Sequence, residues 1–429
     1  MRILLLGASG FIGSAVCARL MTDGHDVLAV SRSRPSCTGP QVTHIRFDIA
    51  AATTAEQWRP LLRDISAVVN CAGTLQDAPG ESTRGVHESG IAALVHACEA
   101  AGVRRFVHLS AIGVDRETPT AFSKTKWNGD RAIMASALDW VILRPSVVIG
   151  RSAYGGSALL RGLAALPIFP ELPDSGPLQL VHLDDLVDTI AFFVRADAPP
   201  RCALEIAGPR VWPFADAAAL FRRRLRWPPA RRIAVPAFAA GMLYKIGDLA
   251  ALLGWRTPIR STAEREIRRG AVGDPAEWTR LTGIVPRDIE TWMQREPASV
   301  QERWFAALYL LKPLIFGGFG LYWIATGIVS FTAGWGQGLA LLARAGISPA
   351  FAAAVVAAGA LADIAIGCAI LYRPSARYGL YAALLLSAAY AVIATIMLPD
   401  LWADPLGPLL KIVPIVLLNL AALAILPDR

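Results

Sequence analysis

For its first two thirds the chain alternates short apolar runs with amphipathic stretches; after that it turns almost continuously apolar. Ile3 to Leu6 form a run of the kind a strand needs when both of its faces are buried. "SAVCARLMTDG" then has helical spacing and closes on Gly24, and "HDVLAVSRSR" restarts as a second strand. "IRFDI", "AVVNCAGTL", "RRFVHLSAIGV" and "WVILRPSVVIG" continue the series, most of them separated by a stretch long enough for a helix. Strands alternating with helices predict an α/β fold, a doubly wound parallel sheet over residues 1–200. A small α-rich lobe follows over 201–303.

From residue 304 the pattern changes. Four apolar segments, at about 308–331, 350–372, 376–398 and 406–426, each approach the ~20 residues that cross a ~30 Å hydrocarbon layer. They predict an all-α four-helix transmembrane domain over 304–429. The connection "YRPSARYG" carries Arg373 and Arg377, whereas "PDLWADP" carries Asp400 and Asp404 and no cation. The positive-inside rule then puts the second connection, both termini and the sheet domain in the cytoplasm of a multi-pass inner-membrane protein. Asp363, within the second span, is the costliest group to bury and is expected to pair with a lysine or take up a proton. Lys312 and Lys411 are expected to snorkel, and Asn419 lies within the fourth span.

Charge sharpens this division. The chain is 54% hydrophobic with a net charge of +8 and a mean hydropathy of +0.44. The excess charge is concentrated over 201–303, with 18 basic against 11 acidic residues. A basic lobe just before a membrane domain suits an anionic lipid surface better than nucleic acid, which is not expected as a partner. Six scattered cysteines lack metal-type spacing, so no metal site is expected and the thiols are read as reduced. "MRILLLGASG" runs straight from strand into glycine loop, so no signal peptide is expected.

That loop carries the first chemistry. "GASGFIG" places Gly7, Gly10 and Gly13 between a strand and a helix, where a tight turn lets backbone N–H groups approach a pyrophosphate. The second strand ends Val30-Ser31-Arg32-Ser33-Arg34, with two arginines and no carboxylate. This favours NADP(H), with NAD(H) as the alternative.

The G-x-x-G-x-x-G spacing resembles that of extended and atypical short-chain dehydrogenases/reductases, and the later landmarks follow their order. The resemblance implies a Rossmann domain in which Gly7, Ser9, Gly10, Phe11, Ile12 and Gly13 hold the dinucleotide. It further implies that Asp48 and Ile49 meet the adenine, and that Cys71, Ala72 and Gly73 lie along the adenosine. Ser110 would stand at the catalytic or substrate-binding serine position, and Arg144-Pro145 would arrive beside the nicotinamide. Asp184 or Asp185 in "LVHLDDL" reads as a helix N-cap.

In active members of these families a Tyr-x-x-x-Lys pair does the proton chemistry. In "TAFSKTKWNGDRAI" the lysine is either Lys124, with Thr120 at the tyrosine position, or Lys126, with Phe122 there. The downstream "KWNGD" resembles the family's lysine-x-x-glycine-acid pattern and favours Lys126. Neither register supplies a phenol. His87, on the central helix where an asparagine is usual, is either structural or a substitute proton carrier. Residues 1–295 are thus most similar to atypical members such as the dinucleotide-binding accessory subunit of respiratory complex I and the NmrA-like proteins. The tail resembles the DoxX-like membrane family.

"VPAFAAGMLYKIGDLAALLG" reads as apolar or amphipathic helix, either packed in a core or lying at a membrane interface. The sequence therefore points to a membrane-anchored NADP(H)-binding oxidoreductase for a lipid-like or quinone-like substrate. Its rivals are a non-catalytic subunit of a respiratory or other membrane oxidoreductase complex and a cofactor-gated transporter.

Overall fold

The computed structural model describes residues 1–33, 37–78 and 80–427, which fall into two compact units. The first comprises Met1–Asp248 and Pro258–Ala307, the second Leu249–Thr257 and Leu308–Arg429.

In the first unit, strands β1 (Arg2–Leu6), β2 (Asp26–Ser31), β3 (Val42–Arg46), β4 (Ala67–Asn70), β5 (Arg105–Leu109) and β6 (Asp139–Pro145) build a parallel sheet with the later β10 (Cys202–Ile206). Between β6 and β10 lie β7 (Val147–Ile149), β8 (Ile168–Glu171) and β9 (Leu178–His182). The sheet order is β10-β6-β5-β4-β1-β2-β3. Its helices are α1 (Phe11–Thr22), the single turn α2 (Ala55–Trp58), α3 (Gly90–Ala101), α4 (Ala121–Met134), α5 (Gly155–Ala165) and α6 (Leu183–Val194). Successive β1 side chains serve opposite cores. Ile3 and Leu5 pack with Val16 and Leu20 of α1 and Ile190 and Phe193 of α6, while Leu4 and Leu6 pack with Trp58, Ile91 and Leu94. Burial on both faces explains why the strands read as apolar runs without alternation. The chain winds outward in one direction from β1 and in the other from β4, which are neighbours. The crevice beyond their carboxyl ends is the switch point where such sheets bind ligands.

The lobe adds β11 (Val211–Trp212), β12 (Arg231–Ala234), α7 (Phe214–Arg224), α8 (Ala237–Leu252), α9 (Ser261–Arg269), α10 (Ala276–Thr282) and α11 (Ile289–Arg295). β11-β9-β7 form a three-stranded sheet and β12-β8 a two-stranded one. His182 caps α6: its Nδ1 accepts from Asp184 N–H at 3.2 Å. The capping role therefore falls to His182, two residues before the first of the expected aspartates. Asp185 instead accepts from the Arg287 N–H at 2.8 Å.

The second unit is helical. α12 (Val300–Phe331), which begins in the first unit, is followed by α13 (Trp335–Arg344), α14 (Pro349–Leu371), α15 (Ala376–Met397) and α16 (Ile412–Ile425). Among the described residues, α12, α14 and α15 are long and apolar enough to cross a membrane. The fourth segment differs from expectation. Its helix begins only at Ile412 and has 14 residues, because Pro405, Gly407 (φ +57°) and Pro408 interrupt helical hydrogen bonding. Phe316, Trp323, Ile370, Leu380 and Ala422 form the core of this unit. Gly320 and Gly367 let two helices touch, since a Cβ on Gly367 would fall 2.5 Å from the Gly320 carbonyl. Asp363 is buried and accepts from the Tyr390 hydroxyl at 3.4 Å; the expected lysine partner is replaced by this phenol. Asn419 donates to the Leu380 carbonyl at 3.1 Å.

Candidate functional site

The dinucleotide end of the crevice is made of backbone. Gly7 ends β1 at φ +74°, and a Cβ there would lie 2.8 Å from the Ala72 nitrogen. A Cβ on Gly13 would lie 2.2 Å from the Gly7 carbonyl oxygen. These two glycines press the loop, β4 and α1 together, while nothing but the Gly7 carbonyl lies near the corresponding point on Gly10. α1 starts at Phe11 with neither a side-chain cap nor an acidic residue in its first turn. Its first N–H groups are thus left for an anion, and the loop fits a pyrophosphate. Ser9, Phe11 and Ile12 lie in or directly after this loop.

At the end of β2, Arg32 donates to the Gly80 carbonyl at 3.0 Å and to the Glu81 carboxylate at 2.6 Å. The sequence of the strand end itself carries no carboxylate. The structure brings Glu81 there from a loop 49 residues farther along the chain. Ser33 donates to the Ser9 hydroxyl at 3.0 Å, tying the strand end to the glycine loop. Arg34 lies outside the described residues. Asp48 is exposed and accepts from the Ala50 N–H at 3.0 Å, and Ile49 beside it is buried. Cys71, Ala72 and Gly73 follow β4. Burial pushes the Cys71 thiol up to about 12 against the pull of Lys126, so it stays protonated.

The reacting end is made of buried side chains. Thr120 is the N-cap of α4: its hydroxyl accepts from Ser123 N–H and also bonds the Glu266 carboxylate. Lys124 is exposed, whereas Lys126 is buried and donates to the Leu109 carbonyl at 2.7 Å. Burial lowers the Lys126 ammonium to about 8, against the opposing pull of Asp130 and Cys71. A Cβ on Gly73 would lie 3.5 Å from both Lys126 Nζ and His87 Nε2, so these two nitrogens flank the loop after β4. Gly129 explains the glycine three residues after the lysine: a Cβ there would lie 2.1 Å from the His87 carbonyl.

Phe122, one turn before Lys126, stacks edge-on to the His87 ring with centroids 5.6 Å apart. His87 Nε2 accepts from Thr74 N–H at 3.1 Å, which places its proton on Nδ1, facing the Thr125 hydroxyl at 3.1 Å. Burial, then Lys126 and His108, hold its pKa well below the usual histidine range. Both nitrogens are engaged and burial favours the neutral ring, an arrangement that suits a structural histidine.

Behind Lys126 lies a polar chain that no local sequence pattern announces. Asn70 accepts from Ala72 N–H at 3.0 Å and presents its amide to His108 Nδ1 at 2.9 Å. The other His108 nitrogen lies 3.6 Å from Asp130, which accepts from Arg144 Nε at 3.1 Å; Arg144 continues to Asp115 at 2.5 Å. Arg144 thus turns into this network, while Pro145 ends β6 and accepts from Ile112 N–H at 3.2 Å. Burial pushes the Asp130 carboxyl up, against Ser110, Arg144 and Lys126. Ser110 is buried beside Asp130, but its hydroxyl makes no hydrogen bond of normal geometry and can still take one. The strands spell only parts of this chain. Asn70 and His108 lie on adjacent strands, and nothing in either run announces the pairing.

A family model described as NAD(P)H-binding matches residues 7–160, and one described as DoxX-like matches residues 320–420. The Bordetella bronchiseptica enzyme WbmG, solved in complex with NAD, is similar with a TM-score of 0.53 at 16% identity, over 68% of this chain and 92% of that one. This likeness concerns the fold. The 40 kDa subunit of NADH-ubiquinone oxidoreductase from Neurospora crassa is 24% identical over 66% of this chain and 76% of its own length. A ceramide reductase of Caulobacter vibrioides is 22% identical over 45% and 61%. The chain spans only 19% of the length of uncharacterized mycobacterial proteins to which it is 28% identical over 185 residues. The protein joins an NAD(P)-binding Rossmann domain to a DoxX-like helical domain.

Proposed function

We propose that the protein is a membrane-anchored NADP(H)-dependent oxidoreductase acting on an apolar or membrane-dissolved substrate of the quinone or isoprenoid-carbonyl class. The observation that carries this reading is the buried Lys126 ammonium at the switch point, bonded to the carbonyl of Leu109 just before Ser110, in a chain that continues into helices able to cross a membrane. The bound dinucleotide would supply or accept a hydride. In this reading Gly7, Gly10 and Gly13 hold the pyrophosphate, Arg32 and Arg34 the 2′-phosphate, and Asp48, Ile49 and Cys71 to Gly73 the adenosine. Pro145 borders the nicotinamide. Lys126 holds the ribose and, with its pKa lowered to about 8, can keep or release a proton near neutral pH. Ser110 orients the reacting oxygen. The likeness to a ceramide reductase supports a lipid-like substrate. The cations of the turn after α14 support an inner-membrane protein with its dinucleotide domain and C-terminus cytoplasmic.

A second reading, a non-catalytic dinucleotide-binding subunit of a membrane oxidoreductase complex, draws on a specific feature. Phe122 fills the phenol's place and offers no proton. The likeness to a respiratory-complex subunit supports it as well. The test is NADPH oxidation by the purified full chain in detergent with a short-chain quinone. Turnover is the expected result. Tight NADPH binding without turnover would install the second reading, and absence of dinucleotide binding would remove both.

A further inference from the structure

α8 is sorted the wrong way round for water. Its buried side carries Ala240, Tyr244, Gly247 and Ala251. Its outward side carries Phe238, Met242, Ile246, Leu249 and Leu252, which are 79, 61, 54, 60 and 75% exposed. Spacings of four, four, three and three residues set these side chains in one line along the helix. A helix ordered by burial from water alone would turn its large apolar residues inward and its alanines out. The neighbouring strand β12 is exposed along its whole length, with Ile233 between Arg232 and Ala234. Soluble monomers rarely leave so continuous an apolar surface open.

The chain itself indicates what covers this face. The last turn of α8 belongs, with residues through Thr257, to the helical second unit. There Trp255 Nε1 donates to the Leu371 carbonyl at 2.6 Å, and the Arg373 guanidinium lies 5.5 Å from the Trp255 ring centre. Both contacts hold the end of α8 at the turn between α14 and α15, where two apolar helices long enough to cross a membrane end. Tryptophan and arginine at such a helix end are the side chains of a membrane–water boundary. Charge agrees: Arg226, Arg231 and Lys245 are exposed in and around α8, within the basic stretch 201–303.

We propose that the outward face of α8, with Ile233 of β12, lies in the headgroup layer of a bilayer containing anionic lipid. Phe238, Met242 and Ile246 insert among the upper acyl chains, and Arg231 and Lys245 meet the lipid phosphates. This rests on the membrane reading of the helical unit and not on any reaction at the dinucleotide site.

The test places a spin label on Phe238→Cys, Met242→Cys or Ile246→Cys of the full chain, with the six native cysteines replaced, in lipid nanodiscs. A label at the exposed His96→Cys serves as the water-facing control. Collision with oxygen, which partitions into lipid, is compared with collision with a water-soluble nickel chelate. The expected oxygen-to-nickel ratio at the three α8 positions is several-fold above the control. It should rise further when phosphatidylglycerol is added to phosphatidylcholine. A ratio equal to the control means that the face stands in water and overturns the proposal. Exclusion of both reagents means that protein covers the face, either a second copy or a partner, and overturns it equally. Equal depth in the two lipid mixtures overturns the anionic part. NADPH binding, measured on the unlabelled protein with its native cysteines, reports on fold and cofactor site separately. Deep labels without NADPH binding would remove the functional reading and leave this one standing.

Discussion

Around Gly7 and Gly13 the protein builds its crevice from backbone, whereas around Lys126 it builds it from buried side chains. The first end works by having nothing in the way: carbonyls and N–H groups lie where any Cβ would collide. The second works by electrostatics. It holds a lysine, two histidines and an aspartate out of water, and each has its ionisation displaced by that burial. The two ends therefore fail differently. A backbone site tolerates no added atom. A side-chain site tolerates exchange of single groups while the fold persists.

The largest effect expected from this contrast is at Gly13. Gly13→Ala puts a methyl 2.2 Å from the Gly7 carbonyl oxygen; the methyl rides directly on the backbone of α1, and the oxygen belongs to the backbone just after β1. Relief requires moving the loop, at a cost of ~3 kcal/mol or more, at the upper end of overpacking penalties. Dinucleotide affinity, read by calorimetry, should fall by about a hundredfold or more. Unchanged affinity would break the comparison at its first term.

Next is Phe122→Tyr, which adds only a hydroxyl, on the helix face shared with Lys126. Reduction of simple apolar carbonyls by NADPH should rise by up to about a hundredfold, the usual scale of general-acid help. Thr120→Tyr is the control for the other register. Because Thr120 caps α4 and bonds Glu266, that variant should lose ~1 kcal/mol of stability and gain no activity. A gain in the Thr120 variant alone would move the reacting position to Lys124. No gain in either variant, with dinucleotide still bound, would mean that the crevice admits no carbonyl.

The same contrast explains what could be read from the sequence. The sheet, the glycine loop and the apolar tail were legible because each is a local pattern: a run of buried strand, a fixed glycine spacing, a hydrophobic length. The helix that buries Lys126 is legible too, because Gly129 and Asp130 follow the lysine on it. Glu81 and the chain from Asn70 through His108 to Asp130 were not, because their members meet only through strand pairing and loop closure across tens of residues. The cap of α6 lies two or three residues before the expected aspartates, because a histidine nitrogen can accept where a carboxylate was expected. The short final helix was hidden in an apolar stretch whose prolines and glycine are visible only to a reading of turns.

A smaller effect tests the electrostatic end by pH. The unfolded chain keeps Lys126 charged to about its ordinary value of 10.5, while burial lowers it to about 8 in the folded protein. Between those values the unfolded state binds more protons, so stability rises with pH through that window. Dinucleotide affinity carried by the ammonium moves the opposite way: it is full below pH 8 and is lost as pH rises through it. Lys126→Met should weaken NADPH by about tenfold at pH 7, roughly one charge-assisted hydrogen bond, and should flatten both profiles. Persistence of the affinity profile in the Met variant would assign it to another group.

The smallest effect concerns Glu81, where the two kinds of site meet. Arg32 is poised at the strand end that would face the adenosine ribose, but its guanidinium already holds a carboxylate and a carbonyl. A 2′-phosphate can recruit Arg32 only by sharing it with Glu81, and the two anions repel. The arginine is about half exposed, so the pair is screened and worth at most ~1 kcal/mol. Glu81→Gln should therefore tighten NADPH by up to about fivefold and leave NADH unchanged. The same substitution distinguishes the two cofactors by sign. If Glu81 instead accepts the ribose 2′-hydroxyl, its loss weakens NADH and leaves NADPH where it was. That outcome would make Glu81 the acid expected of an NAD-preferring site, carried by a loop after β4 rather than by the end of β2. Competitive titration of the two dinucleotides against the unmodified protein and the Gln variant decides between them.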